Sequence, residues 1–153
     1  MHQLTETVKV LQKVVLFADK KVLILKRADT STMRAGQWDL PGGNSEWPES
    51  TVSKQSLHTA DIVRETSEET GITIAASEFS RPIFFDTYFD AEQQLYSIIV
   101  GWRVLLPAQP QVRLSLEHTE FAWILPAEFP VYDFGFAGKS NGFIRQILNR
   151  SII

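Results

Sequence analysis

A chain of 153 residues, 44% apolar and 22% charged, is expected to form a single domain over 1–153 with enough apolar surface to bury a core. Its net charge of −3 comes without a long basic run, which argues against nucleic-acid polymer as a partner but leaves small phosphorylated ligands open. With no cysteine, disulfides, zinc–thiolate sites and thiol nucleophiles are excluded.

In chain order, the polar opening MHQLTETVKV lacks the apolar stretch of a signal peptide, and no later run is long enough to span a bilayer. A cytoplasmic protein with no membrane partner is expected. VKVLQKVVLF and VLILKRA flank the polar ADKK and read as two strands joined by a tight turn. WDL is a short strand running into PGG. A helix follows: Thr59 is placed to cap it, Asp61 to sit in its first turn, and Gly71 to end it. ITIAA reads as a short strand. RPIFFDTYFD and LYSIIVGWRVLL, rich in β-branched and aromatic residues, form a long hairpin around AEQQ. After the loop PAQPQ, EFAWIL is another strand. The ending SNGFIRQILNRSII places Phe143, Ile144, Ile147 and Leu148 on one face of an amphipathic helix capped by Ser140. Strands mixed with two separated helices predict an α/β or α+β sandwich.

The first helix carries the chemistry. Residues three and four apart share a helical face, so Glu65, Glu68 and Glu69 project together, with Asp61 one turn earlier on the same stripe. Each like-charge pair at this spacing costs roughly 0.2–0.5 kcal/mol. Arg64 is adjacent in sequence but points about 100° away, so it is not expected to neutralise the whole cluster. A divalent cation would offset it, and carboxylate oxygens are the donors that Mg²⁺ and Mn²⁺ prefer. RETSEETG alone remains open to two readings, a solvated acidic face or a metal site. The LPGG turn alone is weaker still, because most such pairs only turn the chain.

Together, GQWDLPGG and RETSEETGI resemble the signature of the Nudix hydrolases, G-x5-E-x7-R-E-U-x-E-E-x-G-U with U apolar. Gly43 and Glu49 match its first spacing, and Arg64, Glu65, Glu68, Glu69, Gly71 and Ile72 match its end, with Thr66 in place of an apolar residue. LEHTEFAWI resembles a downstream family segment in which a loop glutamate faces the box helix and a tryptophan opens the next strand. The resemblance implies an α/β/α sandwich with a central mixed sheet. It also implies a metal-dependent hydrolase, using Mg²⁺ or Mn²⁺, that cleaves a diphosphate linkage in a nucleoside di- or triphosphate derivative by water attack on phosphorus. On this resemblance Glu65 and Glu69 are direct metal ligands with Glu68 beside them, and the Gly43 carbonyl is a further metal contact. Arg64 orients a box glutamate by an ion pair, and Glu117 is the extra ligand or the general base. His118 is expected to be a structural loop residue and Glu120 an exposed strand position. Many relatives dimerise, so the resemblance allows a homodimer.

The chain departs from the pattern in one place. Fourteen residues, Ser50 to Val63, separate Glu49 from Arg64 where the family has seven, and counting seven back from Arg64 reaches Ser56. The insertion reads as a longer surface loop or as a lid, and it leaves open whether Glu49 or Glu46 supports the metal face. For the substrate, Arg27 ends a strand where phosphates would lie, and Trp47 and Tyr88 are candidates for stacking on a base. Tyr88 stands about where dinucleoside polyphosphate hydrolases of the family carry a tyrosine. A catalytically silent nucleotide-binding module of the same fold is the alternative from a different class. Isopentenyl diphosphate isomerase shares the fold but relies on a cysteine that this chain lacks.

Overall fold

The structure, a computed structural model, describes residues 7–152. The first six residues of the polar opening, and Ile153 at the end of the predicted C-terminal helix, lie outside the described residues. The chain forms a seven-stranded mixed sheet from β1 (Val8–Ala18), β2 (Lys21–Arg27), β3 (Trp38–Asp39), β4 (Gly42–Asn44), β5 (Phe84–Asp90), β6 (Leu95–Leu105) and β7 (His118–Ile124). Strands β1 and β6 run parallel over ten residue pairs, Val8 opposite Tyr96 through Phe17 opposite Leu105. The other pairings are antiparallel. The β1–β2 hairpin pairs only next to its turn, at Phe17–Val22 and Ala18–Lys21. Beyond that it splays, and the chain around Pro41 fills the gap, with β3 on β2 and β4 on β1. This wedge brings Gly42 and Gly43 to the edge of the first helix.

Helices α1 (Leu57–Thr70) and α2 (Phe143–Ser151) cover opposite faces, as side-chain alternation along β1 makes plain. Val14 and Leu16 pack with Leu23, Leu25, Trp102 and Ile62 of α1, whereas Val15 packs with Ile24, Ile99 and the Ile144, Ile147 and Leu148 stripe of α2. The α2 stripe is fully buried, and each such side chain stabilises the fold by about 1.5–3 kcal/mol. The expected α/β/α sandwich is present. On α1 the buried stripe is Ile62, Thr66, Glu69 and Thr70. Thr66 occupies an apolar position because its hydroxyl donates to the Ile62 carbonyl at 2.7 Å, so no polar atom is left unpaired.

Several local expectations are corrected. Helix α1 starts at Leu57, not after Thr59, with Ser56 preceding it in a left-handed conformation and making no side-chain cap, so Asp61 falls in the second turn. Tertiary contacts hold the added residues: the Gln12 amide donates to the His58 carbonyl at 2.8 Å, and the His58 ring stacks on Trp102. Gly71 closes the helix as expected, at φ 73°. ITIAA is not a strand. Ile72 and Ile74 are buried beneath α1, but the segment pairs with no neighbour and passes into a 3₁₀ turn at Ala76–Glu78. Gly142, not Ser140, precedes α2. Strand β4 is additional; a glycine-rich run has no strand signal of its own and pairs only because β1 offers an open edge.

Candidate active site

The two glycines of LPGG have separate reasons. Gly42 has φ 134°, and a side chain there would collide with the Gln12 carbonyl. At Gly43 a Cβ would stand 2.9 Å from the Glu65 carboxyl carbon. The turn therefore lies directly on the acidic face of α1, and the Gly42 N–H donates to Glu69 Oε2 at 3.0 Å. Both glycines, Glu65, Glu69 and Glu46 line an open cleft of about 590 Å³ whose other walls include Lys9, Lys13, Arg27, Arg34, Glu117 and Phe136. That volume suits a nucleotide-sized ligand.

The acidic stripe divides between inside and outside. Glu69 is 5% exposed and its side chain is held on Gly42. Burial pushes its carboxyl up to about 8, against the opposing influence of Lys13 and the Gly42 N–H. Burial also raises Glu65, with the charges of Glu68 and Glu117 adding and Arg64 opposing. Glu68, by contrast, is exposed and does not line the cleft. Arg64 reaches more of the stripe than its angular offset implies. It lies within 3.1 Å of Glu65, 3.3 Å of Glu68, 3.4 Å of Asp61 and 3.5 Å of Glu46. A long guanidinium curls back over its own helix, which a fixed angular offset does not anticipate. Of the two glutamates left open by the insertion, Glu46 makes this contact.

A second charge cluster closes the cleft. Asp39 is fully buried and meets Lys13 Nζ at 3.0 Å, Arg27 Nη1 at 3.2 Å and Arg34 Nη2 at 2.7 Å. Burial alone would raise the Asp39 carboxyl, but Lys13, Arg34 and Arg27 outweigh it and hold it below its ordinary value. Three cations around one carboxylate leave an excess of positive charge in a cleft that also carries Glu65 and Glu69. Arg34 Nη1 is buried without a partner.

Glu117 arrives from the loop before β7. Its carbonyl accepts from the Ala28 N–H at 2.9 Å, and its side chain is exposed at the cleft. His118 is the first residue of β7 and is 6% exposed. Burial lowers its imidazole to about 4, so the ring is neutral near pH 7. One ring nitrogen of His118, one Glu117 oxygen and one Glu69 oxygen lie within 4.8 Å of one another. Three carboxylates, Glu65, Glu69 and Glu117, thus offer oxygen donors suited to a hard divalent cation.

The substrate candidates fare unequally. Arg27 lines the cleft, although its Nε donates to the Met33 carbonyl and Nη1 to Asp39. Trp47 is 93% exposed in the insertion loop and does not line the cleft. Tyr88 is exposed on β5, at the far edge of the sheet from β3. Neither is brought to the site: Trp47 projects into solvent although its neighbours Ser45 and Glu46 are tied to Val10 and Arg64, and Tyr88 lies on β5. Lys9, Lys13, Arg34 and Asp39 were not singled out by the sequence. Only Lys13 gave a hint, as a charge inside an otherwise apolar strand pattern.

The NUDIX domain family profile matches residues 12–146. The chain is similar to the nucleoside triphosphatase NudI of Salmonella arizonae, 29% identical over 131 residues that cover 82% of this chain and 88% of that protein. The MutT protein from Methanosarcina mazei Go1 has the same fold, with a TM-score of 0.70 at 23% identity, covering 97% of this chain and 96% of its own. So does the NUDIX domain of Shewanella oneidensis NrtR, complexed with ADP ribose, with a TM-score of 0.67 at 17% identity over 96% and 86% of the two chains. The chain belongs to the Nudix hydrolase family.

Proposed function

We propose that the protein is a divalent-metal-dependent pyrophosphohydrolase acting on nucleoside di- or triphosphate derivatives, with nucleoside triphosphates first among them. One observation carries this reading: the cleft that holds Glu65, Glu69 and Glu117 also holds Lys9, Lys13, Arg27 and Arg34. Carboxylates that gather cations and cations that gather phosphate oxygens belong to one task. The name of the NudI relative supports the triphosphate class. Mg²⁺ or Mn²⁺, when bound, offsets phosphate charge and acidifies a water. Glu65 and Glu69 are the proposed ligands, with the Gly43 carbonyl as a further contact. Glu68 supports them from outside the cleft, sharing Arg64 with Glu65. Arg64 is a positioning residue that restrains the Glu65 carboxylate. Glu117, exposed at the cleft on a loop pinned to Ala28, is proposed as a further metal ligand. Arg27 and Arg34 receive the phosphate tail, while Phe136 offers a face to the base.

The test is a screen of nucleoside triphosphates, nucleotide sugars and dinucleoside polyphosphates with Mg²⁺ or Mn²⁺ in ¹⁸O water. Turnover with label in one phosphate product supports the reading and identifies the phosphorus attacked. Tight nucleotide binding with no turnover in either metal would refute it in favour of a silent binding module.

A further inference from the structure

Histidine 118 breaks the alternation of its own strand. From Ile124 to Glu120, β7 pairs residue by residue with β2, and then the register slips so that His118, not Thr119, stands opposite Arg27. Without this bulge His118 would share the face of Glu120, which is exposed. With it the imidazole turns inward, while Thr119 and Glu120 stay outside. A bulge re-aims a side chain at a cost in ladder hydrogen bonds, and among the described residues the ring's Nδ1 is buried with no hydrogen-bond partner. The same ring places one nitrogen within 4.8 Å of oxygens from both Glu69 and Glu117.

We propose that His118 is a nitrogen donor to the metal site, so that Glu69, Glu117 and His118 form a mixed carboxylate–imidazole cation subsite. This rests on the hydrolase reading above and adds a residue to it. At most one pair of three donors on an octahedral ion bound at about 2.1 Å is trans, about 4.2 Å apart, and the rest stand about 3 Å apart, so a pair at the 4.8 Å limit must close by up to about 1.8 Å. Glu117, exposed and on a loop, is free to do so. Oxygen-only sites suit Mg²⁺, whereas one imidazole in the set favours first-row transition ions. The consequence is metal selectivity: the subsite binds Mn²⁺ more tightly than Mg²⁺.

The experiment uses the full chain with Mn²⁺ alone, without nucleotide, so that its outcome is separate from turnover. Electron spin-echo modulation of bound Mn²⁺ is expected to show imidazole ¹⁴N coupling in the wild type and none in His118→Gln. His2 and His58 are present in both samples as internal controls. Competition titrations are expected to show Mn²⁺ affinity falling by about tenfold or more in His118→Gln, with a smaller change for Mg²⁺. Mn²⁺ bound to the wild type without imidazole coupling, or an unchanged Mn²⁺-to-Mg²⁺ affinity ratio in a folded variant, overturns the proposal while leaving the hydrolase reading intact. Failure of the wild type to bind Mn²⁺ at all overturns both.

Discussion

Replacing Gly43 by alanine is expected to damage catalysis while sparing the fold. The added Cβ would stand 2.9 Å from both Cδ and Oε2 of Glu65 and 3.3 Å from Oε1, whereas ordinary contact begins at 3.4 Å. The carboxylate must therefore retreat by about half an ångström, and as the far end of a flexible side chain it can do so at little cost to folding. Misplacing a reacting group by about 1 Å can cost roughly 100-fold in rate, so half that displacement is expected to cost about tenfold. Gly42→Ala is the counter-experiment. Its φ of 134° and its contact with the Gln12 carbonyl mean that alanine strains the backbone itself, and a loss of more than about 2 kcal/mol in stability is expected. The assays are kcat with Mg²⁺ on the best substrate of the nucleotide screen, and thermal unfolding of both variants. Gly43→Ala with wild-type kcat, or Gly42→Ala with wild-type Tm, would refute the claim that the turn is shaped by these two contacts.

Glu69→Gln is expected to lower kcat by orders of magnitude with the fold retained; full activity would remove Glu69 from the chemistry. The same residue sets a pH signature in metal-free protein. Its folded-state pKa is raised from 4.5 to about 8, so the folded state keeps a proton that the unfolded state loses, and its contribution to stability falls as pH rises through that window. Unfolding curves between pH 5 and 8 should lose this slope in Glu69→Gln, and in the wild type Mg²⁺ should stabilise more at pH 8 than at pH 6. Asp39→Asn leaves Lys13 buried beside two arginines and is expected to cost about 3–5 kcal/mol, read as a fall in Tm. Asp39 titrates in the opposite sense: its pKa is lowered from 3.8, so its stabilisation is complete above that value and is lost as pH falls through the lower folded one, a slope absent from Asp39→Asn. Thr66→Val removes a hydroxyl that bonds only within its own helix, and a gain of about 0.5–1 kcal/mol is expected in chemical denaturation.

What the sequence revealed, and what it did not, follows from the range of each interaction. The strands β1, β2, β5 and β6 and the α2 stripe are periodic over their own lengths, so local pattern sufficed for them. The pairing of LPGG with RETSEETG was legible because each half keeps its own internal spacing, although seven extra residues separate them. The start of α1 was not, because it depends on contacts with Gln12 and Trp102, far off in the chain. Lys13 and Asp39 lie 26 residues apart and meet only because β3 and β4 wedge between two splayed strands. His118 looked like a loop residue because a register slip of one position has no composition of its own.

The repulsion that the acidic stripe seemed to carry is resolved in two different ways on its two sides. On the outer side Arg64 gathers Asp61, Glu68 and Glu46 together with Glu65, an arrangement that needs no ligand. On the inner side Glu69 has only the Gly42 N–H, and its carboxyl is driven towards the protonated form. The three cations around Asp39 share that cleft but spend their closest contacts on the aspartate, and the pull of Lys13 on Glu69 does not outweigh burial. A divalent cation on the inner glutamates and a phosphate on the surplus guanidinium of Arg34 would satisfy both halves at once. Neither ligand alone balances the cleft, so metal and nucleotide are expected to bind with positive cooperativity. Calorimetry in which a non-hydrolysable nucleoside triphosphate analogue binds equally well with and without Mg²⁺ would contradict that division of charge.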